Sequence, residues 1–186
     1  MRDSRPATGG GAGGESTRGP PSTYLERMDP RVEFLLRTLR LERHPEGGRY
    51  REWYRAPDLV TSADGARRPA ATSIYFLLVR GEHSRWHRVA HDEVWHFHEG
   101  DGLDLTWIVP GAVSIERHRL GRASDGDEPA ATVPSGCWQS ASTRGGYSLV
   151  GCTVAPGFSF EDFVLMADDP DCADMLRRHP EMAERL

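Results

Sequence analysis

About ten short runs rich in β-branched and aromatic residues follow one another from Arg49 to Leu165, and no stretch between them keeps a helical period. They fall near 49–55, 71–79, 83–89, 93–98, 103–109, 112–119, 130–133, 137–141, 147–155 and 159–165, separated by Gly, Pro and Asp turns. Short strands with no crossover helices cannot make a parallel sheet, so the pattern predicts an all-β antiparallel sandwich or barrel. Helical period appears only at the flanks. Asp29-Pro30 places an N-cap and a first-turn proline ahead of Val32, Leu35, Leu36 and Leu39, which recur at helical spacing. Asp169-Pro170 repeats the device before Met175, Leu176, Met182 and Leu186, which cap one barrel end or a partner. Residues 1–22, with Thr8-Gly9-Gly10-Gly11-Ala12-Gly13-Gly14, read as a disordered tail, and 23–186 as a single domain.

Composition narrows the function classes. Asp and Glu outnumber Lys and Arg by 28 to 23, and no basic stripe is interleaved with aromatics, which argues against nucleic-acid binding. No apolar run approaches the roughly 18 residues of a membrane span. Cys137, Cys152 and Cys172 are an odd number without a C-x-x-C pair, and the N-terminus lacks an apolar signal core. Reduced thiols and a cytoplasmic location are the expectation. An open sheet edge is a liability that pairing removes, so a homodimer is expected.

The chemistry-bearing segment runs from Gly81 to Gly100 and contains Arg85, His87, Val89, Glu93, Trp95 and Phe97. Strand alternation puts Arg85, His87 and Val89 on one face, and Glu93, Trp95 and Phe97 on another. A turn near Ala90-His91-Asp92 brings the two runs together, with His87 and Glu93 inside the barrel. An imidazole and a carboxyl group in an apolar cavity either bind a divalent metal or form an acid–base pair. By the same alternation His96 and His98 face outward, and His83 and His91 sit at turns. His44 and His118 have no evident partner.

These residues resemble the cupin superfamily. Gly81, His87, Glu93 and Gly100 stand at the spacings of its first motif, and Pro134 and Gly136 match the second. The chain further resembles cupin family five, through His44-Pro45-Glu46-Gly47-Gly48, Thr72-Ser73-Ile74-Tyr75-Phe76-Leu77-Leu78, Ser84 to His96, Val133 to Gln139, and Leu149 to Phe163. The resemblance implies a double-stranded β-helix, the jelly-roll barrel of cupins, binding a small polar or carbohydrate-like molecule. Two departures weaken a metal site: Val89 stands where the first motif has its second His, and Gln139 where the second motif has its His. A divalent transition metal would have to rest on His87, Glu93 and Gln139, a weak set.

The other chemistry the resemblance implies is isomerase- or epimerase-like, with His87 as base and a tyrosine as acid. Tyr75 and Tyr147 lie on predicted strands, and Tyr75 joins His87 and Glu93 as a candidate catalytic group. Ser73, Arg85, Trp95, Gln139 and Tyr147 are candidate ligand contacts. A non-catalytic metabolite-binding protein and a metal-dependent oxygenase or hydrolase are the alternatives. Elsewhere the expectations are structural. Glu46-Gly47-Gly48 is a tight turn, Phe158, Phe160 and Phe163 are core and corner residues, and Trp138 packs behind Gln139. Cys152 is a buried thiol, and Cys137 is a candidate lining residue without a general base.

Overall fold

A computed structural model describes residues 29–186 apart from 110 and 113; the expected N-terminal tail lies outside them. The first element is helix α1, Pro30–Leu39. Asp29 caps it by accepting a hydrogen bond from the Arg31 amide at 2.7 Å, and Arg40, in the left-handed region, ends it.

Strands β1 (Glu42–Arg43), β2 (Arg49–Arg55), β5 (Thr72–Val79), β7 (Asp92–Gly100), β10 (Ala130–Val133) and β12 (Tyr147–Ala155) form one sheet in the order β1-β2-β5-β12-β7-β10. Strands β6 (His83–Arg88), β8 (Leu103–Ile108), β9 (Glu116–Leu120), β11 (Trp138–Thr143) and β13 (Val164–Leu165) form the second, ordered β13-β6-β11-β8-β9. All pairings within the two sheets are antiparallel. The sheets face each other as a double-stranded β-helix, with Phe76, Leu78, Trp95, Leu105, Val150 and Cys152 buried between them. A separate hairpin, β3 (Leu59–Thr61) with β4 (Arg67–Pro69), was not expected from the sequence. Its strands are only three residues long, and β3 is fully exposed, so it has no alternating pattern to read.

Each sheet is covered on its outer face. Val32 and Leu35 of α1 pack on Leu77 and Leu149 of the six-stranded sheet. On the other side Trp86, Ile108 and Trp138 are covered by Met166, Met175 and Met182 from the C-terminal segment. That segment contains helix α2, Cys172–Arg178. Asp169 does not cap it. The Asp169 carboxylate instead accepts from the Asp171 amide at 2.9 Å in a local turn, and the helix begins two residues later than expected. The run at 159–165 is likewise a short 3₁₀ turn, Phe160–Asp162, followed by two strand residues. Among the described residues no helix is long and apolar enough to cross a membrane.

Candidate functional site

A cavity of about 550 Å³ opens between the sheets. Its inner wall carries His44, Glu46, His87, Glu93 and Cys152, and aromatic rings make up much of the remainder. Two β-bulges decide which side chains reach it.

The first bulge is on β6. Gln139 lies opposite His87, but Ala141 lies opposite Ser84, so β6 carries one extra residue in that interval. Simple alternation places Arg85 beside His87; the bulge instead turns both Ser84 and His87 inward. Arg85 is diverted to a shallow groove outside the cavity, where its guanidinium donates to the Pro45 carbonyl. The expectation that Arg85 shares the face of His87 is corrected by this extra residue. The second bulge is on β2, where Glu52 pairs with Ile74 and Tyr54 with Ser73. It brings Glu52 and Arg55, three apart in sequence, to the same mouth of the cavity.

His87 is 2% exposed and has a defined tautomer. Its Nδ1 lies 2.8 Å from the Arg85 carbonyl, which can only accept, so Nδ1 carries a hydrogen. Its Nε2 lies 3.3 Å from Oε2 of Glu46. The carboxylate expected beside His87 was Glu93; the one within 4 Å of a His87 ring nitrogen is Glu46. Ser84 donates its hydroxyl to Glu46 Oε1 at 2.8 Å, and His44 Nδ1 stands 3.2 Å from Oε2. Burial pushes the Glu46 carboxyl up, but His87, His44 and Ser84 together outweigh it and hold the group below its ordinary range.

Glu46 reaches this position through its turn. Gly47 and Gly48 have φ of 112° and 69°, a region closed to most side chains, and a Cβ on Gly47 would run into the His83 carbonyl. The Arg85 amide donates to the Glu46 carbonyl at 2.8 Å, tying the turn to β6. His44 sits in an aromatic nest, with ring centroids 4.5 Å from Tyr50 and 5.7 Å from Phe163. The glycine turn was legible; the partners of His44 and Glu46 were not.

Glu93 occupies the opposite condition. It is buried, and burial is the main influence on its carboxyl, raised above the ordinary range despite the pull of His87. Its hydrogen-bond partner is Gln139, which donates through Nε2 at 2.5 Å. The Gln139 orientation is forced, because Trp95 Nε1 can only donate and does so to Oε1 at 3.1 Å. Gln139 is therefore fully buried behind Glu93 and Trp95 rather than among the lining residues.

That geometry tests the metal set of His87, Glu93 and Gln139. The Gln139 oxygen is taken by Trp95 and its amide nitrogen is turned toward Glu93, so Gln139 has no free donor atom to offer. Among the described residues no three His, Cys, Asp or Glu side chains are arranged to hold a metal ion. With Gln139 engaged at both ends, the set of His87, Glu93 and Gln139 does not fit a metal ion.

Of the other expected contacts, Trp95 lines the cavity. Ser73 does not: it faces outward, its hydroxyl bonded to Thr153. Tyr75 also faces outward, 5.8 Å from the Trp53 ring, and Tyr147 donates to Glu99 beside α1 at 3.1 Å. Both tyrosines alternate with cavity-facing residues of their strands, and it is Tyr50 of β2 that lines the pocket. Phe158, Phe160 and Phe163, expected as core residues, line it too. His96 and His98 stand on the face opposite Glu93 and Trp95, exposed as alternation predicts. Cys152 lines the cavity with its thiol pushed well above the ordinary range, first by burial and then by Glu93, which leaves it unreactive; Cys137 is buried in the core.

A family model described as "Cupin superfamily (DUF985)" matches residues 33–166. A hypothetical protein from Leishmania major is 34% identical, with a TM-score of 0.70, over 81% of this chain and 93% of its own. A protein from Shewanella oneidensis is 36% identical, with a TM-score of 0.68, over 81% of this chain and 90% of its own. Oxalate decarboxylase from Bacillus subtilis, at 16% identity and a TM-score of 0.51, over 77% of this chain and 36% of its own, shares the fold alone. A search of curated proteins found no match.

Proposed function

The chain belongs to this cupin family, and on that premise we propose that it is an acid–base enzyme of the isomerase or epimerase type, acting on a small polar molecule in the barrel cavity. The observation that carries the proposal is the opposed state of two buried carboxyl groups in one cavity. Against the pull of burial, the Glu46 carboxyl is lowered by His87, 3.3 Å away, by His44 and by Ser84, from which it accepts, while Glu93, held by Gln139 in the wall, is raised by burial. Carboxyl groups whose surroundings push them apart divide naturally into the partner of a base and an acid.

The roles follow from the contacts. The Arg85 carbonyl keeps the hydrogen on His87 Nδ1, leaving Nε2 as the proton-accepting atom. Glu46, 3.3 Å away, stabilises the imidazolium that forms. Glu93, its carboxyl raised by burial in the apolar wall, is the group placed to give a proton to the substrate. For a hydroxy-carbonyl substrate, His87 Nε2 takes the proton α to the carbonyl as Glu93 protonates the carbonyl oxygen, giving an enediol. Returning the His87 proton to the neighbouring carbon completes the isomerisation and restores His87. Glu93 is recharged by the hydroxyl proton released in the second step. Gln139 and Trp95 are positioning residues that fix the Glu93 carboxyl.

The test is solvent-deuterium incorporation into candidate hydroxy-carbonyl compounds, followed by proton NMR. Exchange at the α-carbon that is lost in His87→Gln supports the proposal. A compound that binds and never exchanges supports a non-catalytic binding protein instead.

A further inference from the structure

Resting on that acid–base reading, we infer that the cavity takes an uncharged molecule that binds as a ring and reacts in its open hydroxy-carbonyl form, a free sugar rather than a phosphate ester, a sugar acid or a nucleotide conjugate. The inference comes from charges at the mouth, which the acid–base chemistry does not use.

Phosphate and carboxylate groups are held by guanidinium or ammonium groups, or by helix N-termini. The chain contains no lysine. Among the described residues Arg55 is the single arginine lining the cavity, and neither α1 nor α2 begins there. Arg55 is already engaged fork to fork by Glu52, with Nε and Nη2 at 2.8 and 2.7 Å from the two carboxylate oxygens. Its Nη2 also reaches the Phe158 carbonyl at 3.5 Å. The two imidazoles of the cavity, His44 and His87, both face Glu46. Glu161 adds a further carboxylate at the mouth, and among the described residues it has no ion-pair partner. The Arg55–Glu52 pair is therefore neutral overall, and Glu161 leaves the cavity lining with an excess of negative rather than positive charge for an incoming anion.

The walls suit an uncharged ring. Tyr50, Phe76, Trp95, Phe158, Phe160 and Phe163 present apolar faces, while His87, Glu46 and Glu93 gather the polar groups at the inner end. Phe160 is 52% exposed at the opening, so part of its ring is free to cover a bound molecule. A ring with one C–H face and hydroxyl groups on its edge matches both surfaces.

The experiment is saturation-transfer NMR and calorimetry on the full chain, using free hexoses (glucose, galactose, mannose, fructose), glucose 6-phosphate, glucuronate and UDP-glucose as probes. The expected result is a free hexose binding at least tenfold more tightly than any of the three anions. In Glu52→Gln, which releases Arg55, anion affinity should rise at least fivefold relative to the free hexose. Tighter binding of an anion by the unaltered protein, or no binding by any free hexose, overturns the inference. The two readings fail differently. An anion that exchanges deuterium in a His87-dependent way overturns the charge class alone, whereas a free hexose that binds and never exchanges overturns the acid–base role alone.

Discussion

Glu46 Oε2 lies 3.3 Å from His87 Nε2, across a cavity whose other buried carboxyl, Glu93, is held by the Gln139 amide. The pair joins a turn built on two glycines to a strand that is bulged so that His87 points inward. Substituting Glu46→Gln keeps the shape and removes the charge that stabilises the imidazolium. Deuterium exchange in a responsive substrate should fall about 100-fold, as it does when a positioned acid–base group is impaired. His87→Gln should cost at least as much, and the double variant little more than His87→Gln alone. NMR exchange rates of the three variants check this.

The two carboxyl groups should give opposite pH signatures in stability. Glu46 is lowered on folding, so it contributes stability above its unfolded value of about 4.3 that is lost as the pH falls further. Glu93 is raised on folding, so its contribution is fully present below about pH 4.3 and lost as the pH rises through its folded value. At pH 7, Glu46→Gln should therefore destabilise, by about 1.5–3 kcal/mol, because Ser84 loses its charged acceptor. Glu93→Gln should be neutral or stabilising at pH 7, with the difference from the unaltered protein closing below pH 4. Urea titrations at three pH values measure both.

Gln139 separates a structural from a ligand-binding role. Gln139→Met keeps the volume but strands the Trp95 indole N–H and removes the donor to Glu93. The expected loss is about 2–4 kcal/mol for two buried polar groups left without partners. A stability change of only a few tenths of a kcal/mol would mean that this chain of contacts is not maintained in solution.

The runs of β2, β5, β7, β11 and β12 were readable from their β-branched and aromatic residues, and their ends were anticipated to within about two residues. Glu93 and Trp95 were found by alternation on β7, and His87 by the spacing of the motif that contains it. What alternation cannot carry is an inserted residue. The extra residue on β6 moved Arg85 out and Ser84 in, and the one on β2 brought Glu52 and Arg55 together at the mouth. Nothing in the local sequence of either strand marks the bulge. Glu46 was overlooked for a different reason: the glycines after it explain the turn by themselves, and its partners lie 38 and 41 positions away, at Ser84 and His87. The His44-Pro45-Glu46 motif was the available signal. Tyr75 and Tyr147 were misplaced because their strands are buried on both faces, by the barrel on one side and by α1 and its neighbours on the other, so hydrophobicity does not distinguish inside from outside.

The C-terminal cover should behave as part of the barrel. Met182 is fully buried against the outer face of the second sheet with Trp86 and Trp138. Met182→Ala should cost about 2–4 kcal/mol, the ordinary penalty for emptying a buried site. Urea unfolding followed by tryptophan fluorescence reports it directly, since the neighbouring indoles lie in the same cluster.

The opposed states of Glu46 and Glu93 can be measured without knowing the substrate. Carbon-13 NMR of the glutamate side-chain carboxyl groups, assigned with Glu46→Gln and Glu93→Gln, gives each titration curve in the folded protein. The expected result is one carboxyl, Glu46, titrating below the ordinary glutamate range and another, Glu93, titrating above it. Two ordinary titrations, or the reverse order, would contradict the division of the site into an ionised partner for His87 and a protonated acid.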